Sequence, residues 1–302
     1  YDSSDSRWET NFTPNASAVL GDYDLRIMVN DTDGASTGWS TYSDVIFVEM
    51  NPLWSYALSD DVSSAAFSSD GEYLVIGSFD NKVYLFDKDS STPIWNYATG
   101  GDVQSVSISV DGEYIVAGSD DDKVYLFDKD SSTPLWSYGV GDDAKHVSIS
   151  ATGEYIVAGS WNNNVYFFSR QSSTPLWSYG TSENVDSVSI SADGEYIVMG
   201  GQNNKVYLFS KDSSTPLWTY STNGNVKSIS ISVDSEYIAA GSWDDKVYLF
   251  DKDSSTPLWS YTTGDDVLSV AISADGEYVV AGSFDDKVYL FDKDSSTPLW
   301  SY

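Results

Sequence analysis

Seven tryptophans, Trp54, Trp95, Trp136, Trp177, Trp218, Trp259 and Trp300, follow one another at a constant interval of 41 residues. Each sits near the end of a stretch such as Lys246 to Tyr261, K-V-Y-L-F-D-K-D-S-S-T-P-L-W-S-Y. A fixed period of this size means one supersecondary unit copied and stacked, because a unit so short cannot bury its own apolar faces.

Six complete units are predicted at 57–97, 98–138, 139–179, 180–220, 221–261 and 262–302. Each carries four strand candidates; in the sixth they are Val267 to Ser273, Tyr278 to Ser283, Lys287 to Phe291 and Pro298 to Tyr302. Val, Ile, Tyr and Phe fill the strands, and Asp, Gly, Ser and Pro fill the joints. The middle strands, such as Val288-Tyr289-Leu290-Phe291, are apolar at almost every position, which suits strands covered on both faces. No segment shows a helical period of 3.6, so helical repeats of similar length are excluded. Period and strand count together predict an all-β chain, a β-propeller of four-stranded blades.

The half Val267 to Val288, V-L-S-V-A-I-S-A-D-G-E-Y-V-V-A-G-S-F-D-D-K-V, resembles a WD-repeat blade. The other half, D-K-V-Y-L-F-D-K-D-S-S-T-P-L-W-S-Y, resembles the quinoprotein-type (PQQ-like) repeat ending in L-W. The Gly-His pair of WD repeats is missing, since that joint reads Thr263-Gly264-Asp265-Asp266. Propellers of these kinds commonly close by completing the last blade with a strand from the chain's beginning. The extra copy of the W-S-Y strand, 52–56, is accordingly expected to be the outer strand of a seventh blade, because a six-bladed ring would leave it redundant. The remaining tryptophans are expected to wedge between neighbouring blades.

Residues 1–49 do not share the period. The run G-D-Y-D-L-R-I-M-V-N-D-T-D-G and the strand Val45-Ile46-Phe47-Val48 resemble the C-terminal part of an immunoglobulin-like or PKD-type β-sandwich, whose first strands are expected upstream. This segment carries glycosylation sequons at Asn11, Asn15 and Asn30, which favour an exported, multidomain, cell-surface or extracellular protein.

A net charge of −31 excludes nucleic acid as a natural partner, because phosphate binding requires clustered Lys and Arg. No apolar run approaches the roughly 20 residues of a bilayer-spanning helix. Without cysteine there is no disulfide framework, thiolate metal site or thiol nucleophile. His146 is the only histidine and stands where other units have Ser64, Ser105, Ser187, Ser228 and Ser269, so it reads as a substituted inner-strand residue.

Variation inside a copied unit points to binding. The turn between the second and third strands reads Phe79-Asp80-Asn81, Asp120-Asp121-Asp122, Trp161-Asn162-Asn163, Gln202-Asn203-Asn204, Trp243-Asp244-Asp245 and Phe284-Asp285-Asp286, varying most at its first residue. One reading makes Phe79, Trp161, Trp243 and Phe284 a ring contacting protein or glycan, with Asp80, Asp121, Asp244 and Asp285 binding cations. The other has the aromatics plug the hairpin ends and the acids satisfy turn amides. On the opposite face Asp251, Asp253 and Ser254 are spaced like the start of a calcium loop but lack its Gly and distal Glu, so a capped turn is expected. The third and fourth units deviate most, at Lys145, His146, Asn164, Arg170, Gln171, Gly201 and Gln202, and offer a preferred docking sector.

No catalytic constellation or cofactor site is expected. The leading function is therefore a non-enzymatic ligand-binding, adhesion or scaffolding module. A quinoprotein-like dehydrogenase, implied by the second resemblance, and an intracellular WD-type scaffold are the alternatives.

Overall fold

A computed structural model describes residues 8–11, 26–29, 46–48 and 53–302. The chain divides into two units, Tyr1–Ser55 and Tyr56–Tyr302. In the first, Trp8–Asn11, Arg26–Val29 and Ile46–Val48 pair antiparallel in chain order, with Trp8 opposite Val29 and Ile27 opposite Val48. The immunoglobulin-like expectation for 1–49 otherwise lies outside the described residues, as do Asn15 and Asn30.

The second unit is built from six four-stranded antiparallel sheets, each in simple chain order. The first comprises Val62–Phe67, Tyr73–Ser78, Lys82–Asp87 and Trp95–Ala98; the fourth comprises Val185–Ile190, Tyr196–Gly201, Lys205–Ser210 and Trp218–Ser221. These are the blades of the expected all-β propeller. Among the described residues no helix is long and apolar enough to cross a membrane.

Local chemistry fixes both hairpins of a blade. The last residue of each variable turn, Asn81, Asp122, Asn163, Asn204, Asp245 or Asp286, has φ between 59 and 70°. Asn and Asp tolerate that left-handed conformation best after glycine, which explains why this position never drifts to another type. In the other hairpin glycine takes the left-handed position at Gly71, Gly112, Gly153, Gly194 and Gly276, but the fifth blade places Ser235 there at φ 67°.

The core lies between blades. Val75, Val83 and Leu85 of the first blade pack on Val103, Ile115 and Phe127 of the second, and four equivalent clusters follow. The third strand of the first five blades is consequently buried on both faces, as its apolar run predicts. Close approach also explains the Gly in the recurring A-G-S: a Cβ on Gly159 would lie 2.6 Å from Val185 Cγ1 of the next blade, and one on Gly241 2.7 Å from Val267 Cγ1.

The first strand of each blade lies against the first strand of the next. A serine ladder joins them. Ser64, Ser105, Ser187 and Ser228 each accept, through Oγ, the amide N–H of Val106, Val147, Ile229 and Val270 at 3.0–3.1 Å. His146 continues the ladder, its Nδ1 accepting from Val188 N–H at 3.4 Å. Burial holds this imidazole below its usual pKa, so it is a neutral structural acceptor.

Both end blades keep an uncovered apolar face: on the first, Val62 is 56% and Phe67 61% exposed, and on the sixth Tyr278, Val280 and Val288 are exposed. Of the expected closing strand, the described residues Leu53–Tyr56 are not in strand conformation. Tyr56 nevertheless sits against Tyr84 and Phe86 at 6.0 and 5.3 Å, much as Tyr97 sits against Tyr125 and Phe127 at 5.5 and 5.2 Å. It occupies the place of an outer-strand tyrosine.

Candidate functional site

The variable turns and the lead-ins to the first strands share one face, as expected. The N–H of Phe79, Asp120, Trp161, Gln202, Trp243 and Phe284 donates to the carbonyl of Asp61, Asp102, Asp143, Asn184, Asn225 and Asp266, at 2.8–3.0 Å. Each blade thereby ties its turn to its own lead-in.

The middle residue of the turn is a latch. Asp80 and Asp244 accept the hydroxyl of Tyr84 and Tyr248 at 2.6 Å, and Asp121 and Asp285 accept those of Tyr125 and Tyr289. Three of these carboxylates also take a lead-in amide: Gly100, Asn223 and Gly264 donate to Asp121, Asp244 and Asp285 at 2.8–2.9 Å. Burial, reinforced by the aspartate, raises the phenols of Tyr84, Tyr125 and Tyr248, and pushes Tyr289 up to about 12. In the third and fourth blades an amide replaces the acid, and Asn162 and Asn203 donate to Tyr166 and Tyr207 at 2.6 and 2.9 Å. The expected cation ligands Asp80, Asp121, Asp244 and Asp285 thus engage their own hairpins through Oδ2, while Oδ1 of Asp80, Asp121 and Asp244 is buried without a hydrogen-bond partner.

The first residue of the turn meets a second variable position, the second residue of the first strand: Ser63, Gln104, Lys145, Asp186, Lys227 and Leu268. Gln104 donates to Asp120 at 2.6 Å. Lys145 also reaches Asp120, at 3.3 Å, and stacks 4.2 Å above the Trp161 ring. The Trp161 indole N–H donates to Asp186 at 3.3 Å; Gln202 and Lys227 donate to the same carboxylate at 3.2 and 2.8 Å. Lys227 in turn lies 4.8 Å above Trp243. One connected polar and aromatic network therefore runs along the rim from the second blade to the fifth.

Lys145 and Lys227 are the only cations in the repeats that do not stand at a copied position. Asp186, whose side chain is 4% exposed, is the buried hub between them. Phe79 and Phe284 carry no such bond and remain exposed on the same face.

Two acidic triads also lie here. Carboxylate oxygens of Asp122, Asp142 and Asp143, and of their equivalents three blades on, Asp245, Asp265 and Asp266, come within 4.8 Å of one another. Such sets could hold a cation. Burial and the neighbouring acids raise the carboxyl of Asp143, with Lys145 opposing, and raise that of Asp266, where no cation opposes.

The opposite face is turn chemistry. Asp251 accepts Asp253 N–H at 2.8 Å and Ser254 Oγ accepts Thr256 N–H at 3.1 Å, a capped turn with each acceptor taken. Asp275 is held below the usual carboxylate range by hydrogen bonds from Ser273 and the Glu277 amide.

Five of the outer-strand tryptophans lie between blades, whereas Trp300, on the sixth blade, is 49% exposed. Trp95, Trp136, Trp177, Trp218 and Trp259 pack, tilted, against Phe127, Phe168, Phe209, Phe250 and Phe291 of the next blade, with ring centroids 5.1–5.4 Å apart.

Residues 27–201 and 202–302 match the family model described as outer membrane protein assembly factor BamB. The chain belongs to this family. The resemblance of its L-W half to PQQ-like blades is thereby borne out. No curated protein matches this BamB-family chain. Within such a propeller the varied rim is the surface that distinguishes one blade from another.

Proposed function

We propose that the chain is a non-catalytic protein-binding scaffold of the cell envelope or cell surface, which docks a partner on the rim built from the two variable positions. One observation carries this reading. Across six near-identical blades, the side chains that differ are concentrated where they touch one another on a single face, from Gln104–Asp120 to Lys227–Trp243. A fold that needed only to be stable would not require six different pairs there. Weak contacts from several blades add through high effective concentration. The sequons at Asn11, Asn15 and Asn30 support export.

Affinity capture from envelope fractions tests the proposal. Wild-type chain is expected to retain a protein that Trp161→Ala, Trp243→Ala chain loses, with both chains equally folded by thermal melt. Equal recovery by both would overturn the rim assignment. A glycan-array signal in place of a protein would reassign the partner. Dye reduction after reconstitution with pyrroloquinoline quinone and calcium would replace the scaffold with a dehydrogenase.

A further inference from the structure

The lead-in of the fifth blade carries the only Asn-Gly pair in the sequence, Asn223-Gly224. Asn223 is exposed, and neither its side-chain amide nor the Gly224 N–H has a hydrogen-bond partner among the described residues. The Asp-Gly pairs of the described turns, at Asp70, Asp111, Asp193 and Asp275, are held differently. In each the glycine N–H donates to a serine carbonyl three residues back at 2.9 Å, and the carboxylate accepts the N–H of the Glu that follows. Those pairs are locked, whereas Asn223-Gly224 keeps both of its reacting groups free.

A pair free in this way can cyclise. Glycine has no Cβ to crowd the approach, so the main-chain nitrogen of Gly224 can reach Cγ of Asn223. The N–Cγ bond forms, the bond from Cγ to the amide nitrogen breaks, and ammonia leaves with the proton of the Gly224 N–H. The product is a five-membered succinimide. Water then opens the ring at either carbonyl. Opening at Cγ leaves aspartate on an unchanged main chain; opening at the main-chain carbonyl leaves isoaspartate, with the chain running through Cγ. Either product puts a carboxylate where a neutral amide stood, which is a change of charge as well as of shape.

We propose that Asn223-Gly224 is a site of spontaneous covalent modification, where succinimide formation and hydrolysis remodel the rim around Trp243. The segment is tied at three points to the turn that carries this tryptophan. Asn223 N–H donates to Asp244 at 2.9 Å, the Gly224 carbonyl accepts from Ser242 Oγ at 3.1 Å, and the Asn225 carbonyl accepts from Trp243 N–H at 2.8 Å. There is no slack, since a Cβ on Gly224 would lie 2.5 Å from the carbonyl carbon of Trp243. Isoaspartate lengthens the main chain between residues 223 and 224 by one carbon, about 1.5 Å, so the three bonds cannot all survive and the turn is released. The second, third, fourth and sixth blades have Gly100, Gly141, Ser182 and Gly264 in place of Asn223, which confines the site to the fifth. The modification needs no partner and stands apart from the scaffold reading.

The test ages the full folded chain in mildly alkaline buffer, which favours loss of the Gly224 proton, and in mildly acidic buffer as the control. Isoaspartate is read by methyl transfer from S-adenosylmethionine with an isoaspartyl methyltransferase and located by peptide mass mapping. Label is expected to accumulate at residue 223 in the alkaline sample and to stay absent from the four Asp-Gly pairs. Asn223→Gly, which copies the second, third and sixth blades, is expected to lose it. Asn223→Gln, whose longer side chain would have to close a larger ring, is expected to lose it as well and serves should glycine disturb the fold. In the aged wild type the indole N–H resonance of Trp243, assigned through Trp243→Phe, is expected to split in proportion to the label. Label from urea-unfolded chain with none from folded chain, or folded-state label at the Asp-Gly pairs and not at residue 223, would overturn the site. Label at residue 223 with an unmoved Trp243 resonance would overturn its effect on the rim.

Discussion

The indole N–H of Trp177 donates to the main-chain carbonyl of Lys211, on the next blade, at 2.8 Å. Trp95, Trp136, Trp218 and Trp259 make the same bond to residues 129, 170, 252 and 293. Each tryptophan therefore joins two blades by ring packing and by one directed bond. Trp177→Phe keeps most of the packing and is expected to cost about 1 kcal/mol, the scale of one net hydrogen bond. Trp177→Ala removes both and is expected to cost about 3 kcal/mol. Urea titration separates them, and equal losses would show that the hydrogen bond is idle.

In the inner ladder, Ser187→Ala would leave the buried Ile229 N–H without its acceptor. The expected loss is about 1–3 kcal/mol, that of an orphaned buried donor.

His146 occupies the same register and adds a pH dependence. Its folded pKa lies below the unfolded value of about 6.5, so the unfolded chain takes up the proton first as pH falls. Its contribution is whole above about pH 6.5 and is lost progressively as pH drops towards the folded value. His146→Ser, which restores the residue of the other blades, is expected to flatten stability against pH in that window. An unchanged slope in denaturant titrations from pH 7 to pH 5 would contradict the assignment.

Ser235 holds a left-handed φ of 67° where five other blades use glycine. Ser235→Gly is expected to raise stability by about 1 kcal/mol, the relief of placing a Cβ in that conformation. A loss on thermal melting would show that the serine side chain contributes more than its backbone costs.

Asp186 accepts from Lys227, Gln202 and Trp161 while almost wholly buried. Removing one partner of a buried pair leaves the other's charge uncompensated, so Asp186→Ala is expected to cost about 3 kcal/mol. A double-mutant cycle with Lys227→Met should show coupling of about 1–3 kcal/mol between them. Additive losses would mean that the rim network is not coupled.

Much of this architecture was legible because a copied unit repeats its own evidence. Four instances of K-V-Y-L-F-D and the variants N-V-Y-F-F-S and K-V-Y-L-F-S fix a doubly covered strand, and the Asn or Asp two residues after each variable residue marks a left-handed turn. The acids Asp80, Asp121, Asp244 and Asp285 read as turn acceptors or as cation ligands, because only the placement of a tyrosine four residues on shows them hydrogen-bonded to it. The rim was half legible. Phe79, Trp161, Trp243 and Phe284 stood out as variable, whereas Gln104, Asp186 and Lys227 did not, although variation at their shared position was there to be read. Part of their pairing depends on the register between blades: Lys145 meets an acid of the preceding blade, and Asp186 a lysine of the following one. Spacing along a single repeat cannot reveal it.

The most direct test of the account is amide hydrogen exchange on the chain bound to its captured envelope partner, against the free chain. Slowed exchange is expected in the variable turns around residues 120, 161, 202 and 243 and in the lead-ins before residues 104, 145, 186 and 227, with the loops around residues 130, 171, 212 and 253 unchanged. Protection confined to those latter loops would put the partner on the opposite face and contradict the assignment of function to the varied rim.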